Sequence, residues 1–246
     1  MSHTTWVVLP DKAALAAEAA DRFVASARGA MEERGRFFVA LSGGTTPEVV
    51  FPLLRSAPRV DRVDWSRVEV FWGDERNVPP DHPESNFGNA YRMLLAHLPS
   101  LRPEAIHRMQ AESPDLEAAA LAYEAELRLA FGARGDEPPA FDLMWLGMGP
   151  EGHVASLFPG SKALREMDRW VVPNWAPARR IWRLTLTLPV LNAAREVHFL
   201  VSGENKANAV SHIRSGRSRL PAARVHAQRT IWILDRAAAG EAGAAA

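Results

Sequence analysis

His153 stands just beyond Gly147, Gly149 and Gly152, where an apolar run over 141–146 gives way to Val154, Ala155, Leu157 and Phe158. The run reads as a buried strand, the glycines as a tight loop, and the residues after His153 as a short helix. In open α/β sheets ligands collect at such turns, beyond the carboxyl ends of the strands. An imidazole there titrates near neutral pH and can exchange a proton with a bound substrate. Taken alone, the stretch is equally well a tight turn carrying a surface histidine.

Three other strand ends carry unusual residues. The run 36–41 leads into Ser42-Gly43-Gly44-Thr45-Thr46-Pro47. Paired glycines let a ligand approach the backbone. Thr46 is placed to cap a helix, with Pro47 at its first position. Free N–H groups at such a helix start favour an anion. The spacing is neither a Walker loop nor a dinucleotide fingerprint, and an ordinary capped turn is the plain alternative. The run 68–72 ends in Asp74, Glu75 and Arg76, a charged cluster whose ordinary explanation is surface salt bridging. The run 197–201 is followed by Lys206 at a helix start, where a cation is unfavourable unless an anion, or a neighbour such as Glu204, neutralises it. Arg183 lies on the polar side of the alternating stretch 181–188, and periodicity does not decide between solvent and a pocket.

These residues must be held by strands that alternate with helices. Strands are expected at 6–9, 36–41, 68–72, 141–146, 170–172, 181–188, 197–201 and 230–234, with a weaker one at 106–109. Helices are expected near 10–34, after Pro47, at 86–97 and 113–131, and after Pro189 and Lys206. The alternation predicts an α/β, Rossmann-like fold, with a mostly parallel central sheet and helices on both faces. Loops are expected at 74–86, 132–139 and 174–180. One domain over 1–236 is expected, with 237–246 (AAAGEAGAAA) as a frayed tail.

Composition narrows the chemistry. Apolar residues make up 47% and charged residues 24%, enough for a sizeable core. Lys plus Arg and Asp plus Glu are 29 each, and this zero formal charge argues against nucleic acid as the main partner. Lysine occurs only at 12, 162 and 206, so nearly all the basic side chains are arginine. With no cysteine, disulfides, thiol nucleophiles and thiolate metal sites are excluded. The first residues lack the pattern of a signal peptide, and no apolar run reaches membrane length. A monomer in the cytoplasm, without membrane contact, is therefore expected.

Taken in order, these blocks resemble the 6-phosphogluconolactonase family. LSGGTTP (41–47) is similar to that family's LSGGSTP. DERNVP (74–79), with Ser85-Asn86, is similar to its DER-x-VP and SN elements. GMGPEGHVASLFPG (147–160) is similar to its G-x-G-x-DGH-x-ASLFPG block, and RLTLT (183–187) and the Gly203/Lys206-Ala207 turn match two C-terminal blocks. The resemblance covers almost the whole chain. It implies a sugar-phosphate isomerase/lactonase fold and hydrolysis of 6-phospho-D-glucono-1,5-lactone to 6-phosphogluconate, with no redox cofactor and no essential metal. It implies His153 as catalytic acid/base with Glu151 beside it, and Arg76 and Lys206 on the phosphate. The loop Gly43-Gly44-Thr45 would hold substrate oxygens, and Ser42, Asp74, Asn86 and Arg183 complete the expected binding set. The family's Asp before Gly-His is Glu151 here, one methylene longer, so the backbone around Pro150 must adjust if this carboxylate orients the ring.

Two other readings were weighed. Glucosamine-6-phosphate deaminases share the fold, but they carry an aromatic residue where this chain has Arg76. They also continue past the histidine with Asn-Glu-Pro, where this chain has Ser156-Leu157-Phe158-Pro159. A non-catalytic sugar-phosphate sensor usually accompanies a DNA-binding segment, for which a first strand starting at Trp6 leaves no room. The chain also lacks Gly-x-Ser-x-Gly, against a serine esterase.

Overall fold

The computed structural model describes residues 3–241 apart from Pro99 and Arg134. Six strands form one sheet: β1 (His3–Leu9), β2 (Phe37–Leu41), β3 (Val68–Trp72), β5 (Leu143–Leu146), β8 (Glu196–Val201) and β9 (Arg229–Asp235). Their order is β1-β9-β8-β5-β2-β3, and every neighbouring pair is parallel. Parallel strands covered on both faces read as continuous apolar runs, and every residue of β3, β5 and β8 is indeed buried. Alternation along β5 feeds two cores. Met144 and Leu146 join one, and Leu143 and Trp145 join the other.

Helices α1 (Lys12–Arg34), α2 (Pro47–Leu54) and α3 (Asn86–Met93) bury their apolar sides in the core containing Trp145. Helices α4 (Leu116–Phe131), α5 (Leu188–Ala193), α6 (Ala207–Arg214) and α7 (Arg236–Ala239) cover the other core. A second, antiparallel sheet of β4 (Asp74–Arg76), β7 (Ile181–Leu186) and β6 (Val171–Ala176), in that order, packs into this same core. Gly73 turns the chain from one sheet to the other, donating to Leu41 O at 3.0 Å and accepting from Leu186 N at 2.9 Å.

The structure corrects several expectations. Asp74, Glu75 and Arg76 are a strand, not a loop, because β7 supplies the ladder that a single sequence window cannot reveal. Asn174 likewise lies within β6, opposite Arg183. No helix follows His153. Residues 154–157 form a turn closed by a Val154–Leu157 bridge, with Ala155 left-handed at φ 49°. Thr46 sits at the cap position of α2, but its side chain makes no capping bond. The expected strand at 106–109 is a single bridge from Ile106 to Val70. At the C-terminal end, Arg236–Ala239 is a helical turn and not part of a frayed tail. Asp235 caps it by accepting from Ala238 N at 2.7 Å, and Ala238 is buried. Residues 242–246 of the expected tail lie outside the described residues.

The end of β3 is fixed from α4. The buried hydroxyl of Tyr123 accepts from Trp72 N at 3.1 Å and donates to His107 O at 3.2 Å. Tyr123→Phe strands both backbone groups and is expected to cost about 1–3 kcal/mol. Urea unfolding checks this through a lower midpoint at unchanged slope.

Candidate active site

Strands β8, β5, β2 and β3 are adjacent and parallel, so the loops that follow them open on one edge of the sheet. Four of the expected groups meet at this edge, at the position where such folds bind ligands.

The loop after β5 doubles back on itself. Gly152 N donates to Gly149 O at 2.9 Å, and Gly149 N donates to His153 O at 3.0 Å. The imidazole thereby lies against Gly149. A Cβ at Gly149 would fall 2.0 Å from His153 Nδ1 and 2.6 Å from a Glu151 carboxylate oxygen. Gly152 is left-handed at φ 80°, which favours glycine. His153 Nδ1 lies 2.8 Å from Glu151 Oε1, so the longer side chain reaches the ring. The ring packs on Phe158 with centroids 4.8 Å apart.

Charge states follow from this geometry. Burial pulls the His153 pKa below its ordinary 6.5, against the raising effect of Glu151 and Asp74. Burial would push Glu151 up, but a backbone hydrogen bond and the charges of His153 and Lys206 outweigh it and hold its pKa low. An ionised carboxylate only accepts, so Nδ1 carries the proton and Nε2 presents its lone pair. The Lys206 ammonium, at the N-terminal cap of α6, has its pKa lowered by burial and supported by the Glu151 carboxylate.

Across the site, Arg76 on β4 stands directly opposite Arg183 on β7. Arg76 donates to Glu84 O, and its backbone N donates to Glu75 Oε1 at 2.8 Å. Arg183 is buried, with Nη1 3.4 Å from Asp74 Oδ2 and 3.3 Å from Ser156 Oγ, and its guanidinium lies 5.7 Å from the Phe158 centroid. Burial lowers its pKa, Asp74 supports it, and Arg76 and Arg179 oppose it. Like charges facing each other across a ladder repel.

Asp74 and Asn86 face inward. The Asn86 amide donates to Asp74 O at 2.8 Å and to Asp74 Oδ1 at 3.1 Å. Its Oδ1 sits over the glycine loop, where a Cβ at Gly43 would meet it at 1.7 Å. Gly43 is thus required by contact with Asn86, while Gly44 is left-handed at φ 100°. Ser42 is buried, with Oγ donating to Gly43 O at 3.3 Å, and Thr45 is exposed at the rim. The site therefore gathers the His153 imidazole with the charged groups of Glu151, Arg76, Arg183 and Lys206, and the 42–45 loop lies beside Asn86. Asp74 and Asn86 are held among protein partners.

Three contributors have no site role in the sequence reading, which names Glu75 only within a charged cluster. Glu75 is buried and accepts from the backbone of Asn86 and Phe87, both at 2.8 Å, and from Ser85 Oγ at 3.0 Å, so it fixes the start of α3. Ser156 and Thr185 are fully buried between the sheets. The available signal was a carboxylate and hydroxyls inside blocks otherwise apolar or glycine-rich. Beyond Phe158 lies a groove of about 1180 Å³ walled by Asn77, Lys162, Asn174, Trp175 and Trp182, which includes neither His153 nor Lys206. Among the described residues no group of three or more His, Asp or Glu is gathered as a metal site would need.

A parallel sheet with helices on both faces, a small antiparallel sheet beside it and a carboxylate-tethered imidazole at the strand ends define an α/β protein. The chain belongs to the glucosamine-6-phosphate isomerase/6-phosphogluconolactonase family, which it matches over residues 10–232. It is 41% identical to the 6-phosphogluconolactonase of Streptomyces coelicolor, with 98% of this chain and 96% of that protein covered. It is 42% identical to the 6-phosphogluconolactonase of Mycobacterium tuberculosis, with 95% and 96% covered. The solved structure of 6-phosphogluconolactonase from Trypanosoma cruzi superimposes with a TM-score of 0.85 at 27% identity, covering 99% of this chain and 98% of that one. Among the described residues no helix is long and apolar enough to cross a membrane.

Gly149→Ala is expected to push the imidazole off Glu151 while leaving the sheet intact. An ångström of displacement corresponds to about a hundredfold loss in kcat. Steady-state kinetics beside an unchanged circular dichroism spectrum checks it.

Proposed function

We propose that this chain hydrolyses 6-phospho-D-glucono-1,5-lactone to 6-phospho-D-gluconate in the oxidative branch of the pentose phosphate pathway, as a cytoplasmic monomer. The observation that carries the reading is the 2.8 Å pair of Glu151 and His153, which leaves Nε2 as the unpaired ring nitrogen of an imidazole whose pKa burial lowers. The full-length likeness to 6-phosphogluconolactonases supplies the substrate.

In the proposed reaction, His153 Nε2 takes a proton from water as the water oxygen bonds to C1 of the lactone. The carbonyl electrons move onto oxygen, and N–H groups of the glycine loops or a guanidinium stabilise that charge. When the carbonyl re-forms, the C1–ring oxygen bond breaks and the imidazolium returns its proton to the departing oxygen. No covalent intermediate, redox cofactor or metal is required. The opposed guanidiniums of Arg76 and Arg183 offer a doubly charged seat that a phosphate dianion neutralises, with Lys206 completing it. Phosphate held away from C1 fixes the reacting end relative to His153.

A coupled assay with freshly generated lactone, run beside glucosamine 6-phosphate, tests the reading. Turnover of the lactone alone is expected, and turnover of the amino sugar alone sinks it.

His153→Ala is expected to lose about 10²- to 10⁴-fold in kcat with the fold retained. In the native protein imidazolium cannot accept the water's proton, so kcat/KM falls as pH drops through the His153 pKa. Because burial lowers that pKa, the midpoint is expected below 6.5, and a pH–rate profile reads it. Arg76→Ala and Lys206→Ala are expected to raise KM by about tenfold or more while changing kcat less, since each removes one charged hydrogen-bonding partner. Product titration by calorimetry checks the phosphate assignment independently.

A further inference from the structure

The imidazole and two of the three cations ride on different sheets. His153 and Lys206 follow β5 and β8 of the large sheet, whereas Arg76 and Arg183 belong to β4 and β7 of the small one. The hydrogen bond of the imidazole itself is to Glu151, on the same loop. Gly73 joins the two sheets at one point, but the histidine loop needs its own fastening to the strands that carry Arg76 and Arg183.

We propose that Ser156 is the positioning residue that fixes this register. Ser156 is fully buried, three residues beyond His153. Its hydroxyl donates to Asp74 Oδ2 at 2.6 Å and accepts from Arg183 Nη1 at 3.3 Å. Its backbone N–H donates to Thr185 Oγ1 at 3.1 Å, and its carbonyl accepts from Asn174 Nδ2 at 2.8 Å. One residue of the histidine loop is thereby bonded to all three strands of the small sheet. Asp74, in turn, holds the Asn86 amide over Gly43, so the same contacts reach the glycine loop.

The backbone around Ser156 fits this role. Ala155 is left-handed at φ 49°, a conformation a non-glycine residue keeps only where its surroundings over-determine it. The four bonds of Ser156 do so on one side, and the Val154–Leu157 bridge does so on the other. Phe158 closes the arrangement, since its ring touches both His153 and the Arg183 guanidinium.

The inference rests on His153 as the base and on the cations as phosphate ligands. A substrate gripped by its phosphate presents C1 to Nε2 only while the two sheets keep their spacing. Removing the Ser156 hydroxyl keeps the backbone bonds of residue 156 but releases the histidine loop from Asp74 and Arg183, the two groups that link it to the cation side.

The test is Ser156→Ala, together with the near-isosteric Thr185→Val, which removes the acceptor of the Ser156 N–H. For each, kcat on the phosphorylated lactone, the Kd for 6-phosphogluconate and Tm are measured. Ser156→Ala is expected to lower kcat about 10- to 100-fold, as loss of near-attack geometry does, with Kd within about threefold of the native protein. Thr185→Val is expected to show the same split at about 3- to 10-fold, and the double variant to lose less than the product of the two because both cut one fastening. Native kcat in Ser156→Ala overturns the proposal. So does a loss of product affinity in step with kcat and Tm, the pattern of a merely structural hydroxyl. If Ser156→Ala does not fold, Thr185→Val decides on the same criteria. A native protein without lactonase turnover overturns the functional reading itself, and is seen before any variant is compared.

Discussion

A carboxylate taken out of water is tolerated only with its oxygens bonded, and Asp74 is the carboxylate on which this site is assembled. One oxygen takes the Asn86 amide, and the other takes the Ser156 hydroxyl and the Arg183 guanidinium. These partners come from α3, the histidine loop and β7, three segments far apart in the chain. Satisfying one buried group therefore draws the glycine loop, the histidine loop and Arg183 to a common point. Glu75, one residue on, does the equivalent for the start of α3. Removing a partner leaves an uncompensated buried charge, which costs more than the bond itself gained.

The chemistry needs little beyond this frame. A lactone is a reactive ester, and the proposed reaction asks only for an oriented base held neutral near pH 7. Burial lowers the His153 pKa, and an ionised Glu151 sets its tautomer. Substituting Glu for Asp keeps the contact because Gly149 leaves room on that side of the ring, where any side chain would collide.

The large sheet was legible because each parallel strand carries a mostly apolar, β-prone run, and because glycine-rich or charged segments follow four of them. The small sheet was not. The strand Asp74–Arg76 is three polar residues that become a strand only when residues a hundred positions later lie beside them. The alternation in β7 was visible, but its meaning was not. Arg183 and Thr185 face a buried polar partner instead of solvent, and nothing local distinguishes the two. The helix expected after His153 failed for a similar reason. Its apolar residues are spaced for a helix, yet Ser156 finds better partners on the small sheet than an intrahelical ladder offers. His153 and the glycine loop were readable from residue type, whereas Ser156 and Glu75 matter through contacts distant in sequence.

The placement of Arg76 directly across from Arg183 has a consequence for the protein as a polymer. Two like charges meet across one ladder, with Asp74 as the counter-charge of Arg183, and an anion bound there by the folded chain alone adds to that compensation. The ligand then favours the native state over the unfolded chain in proportion to its saturation.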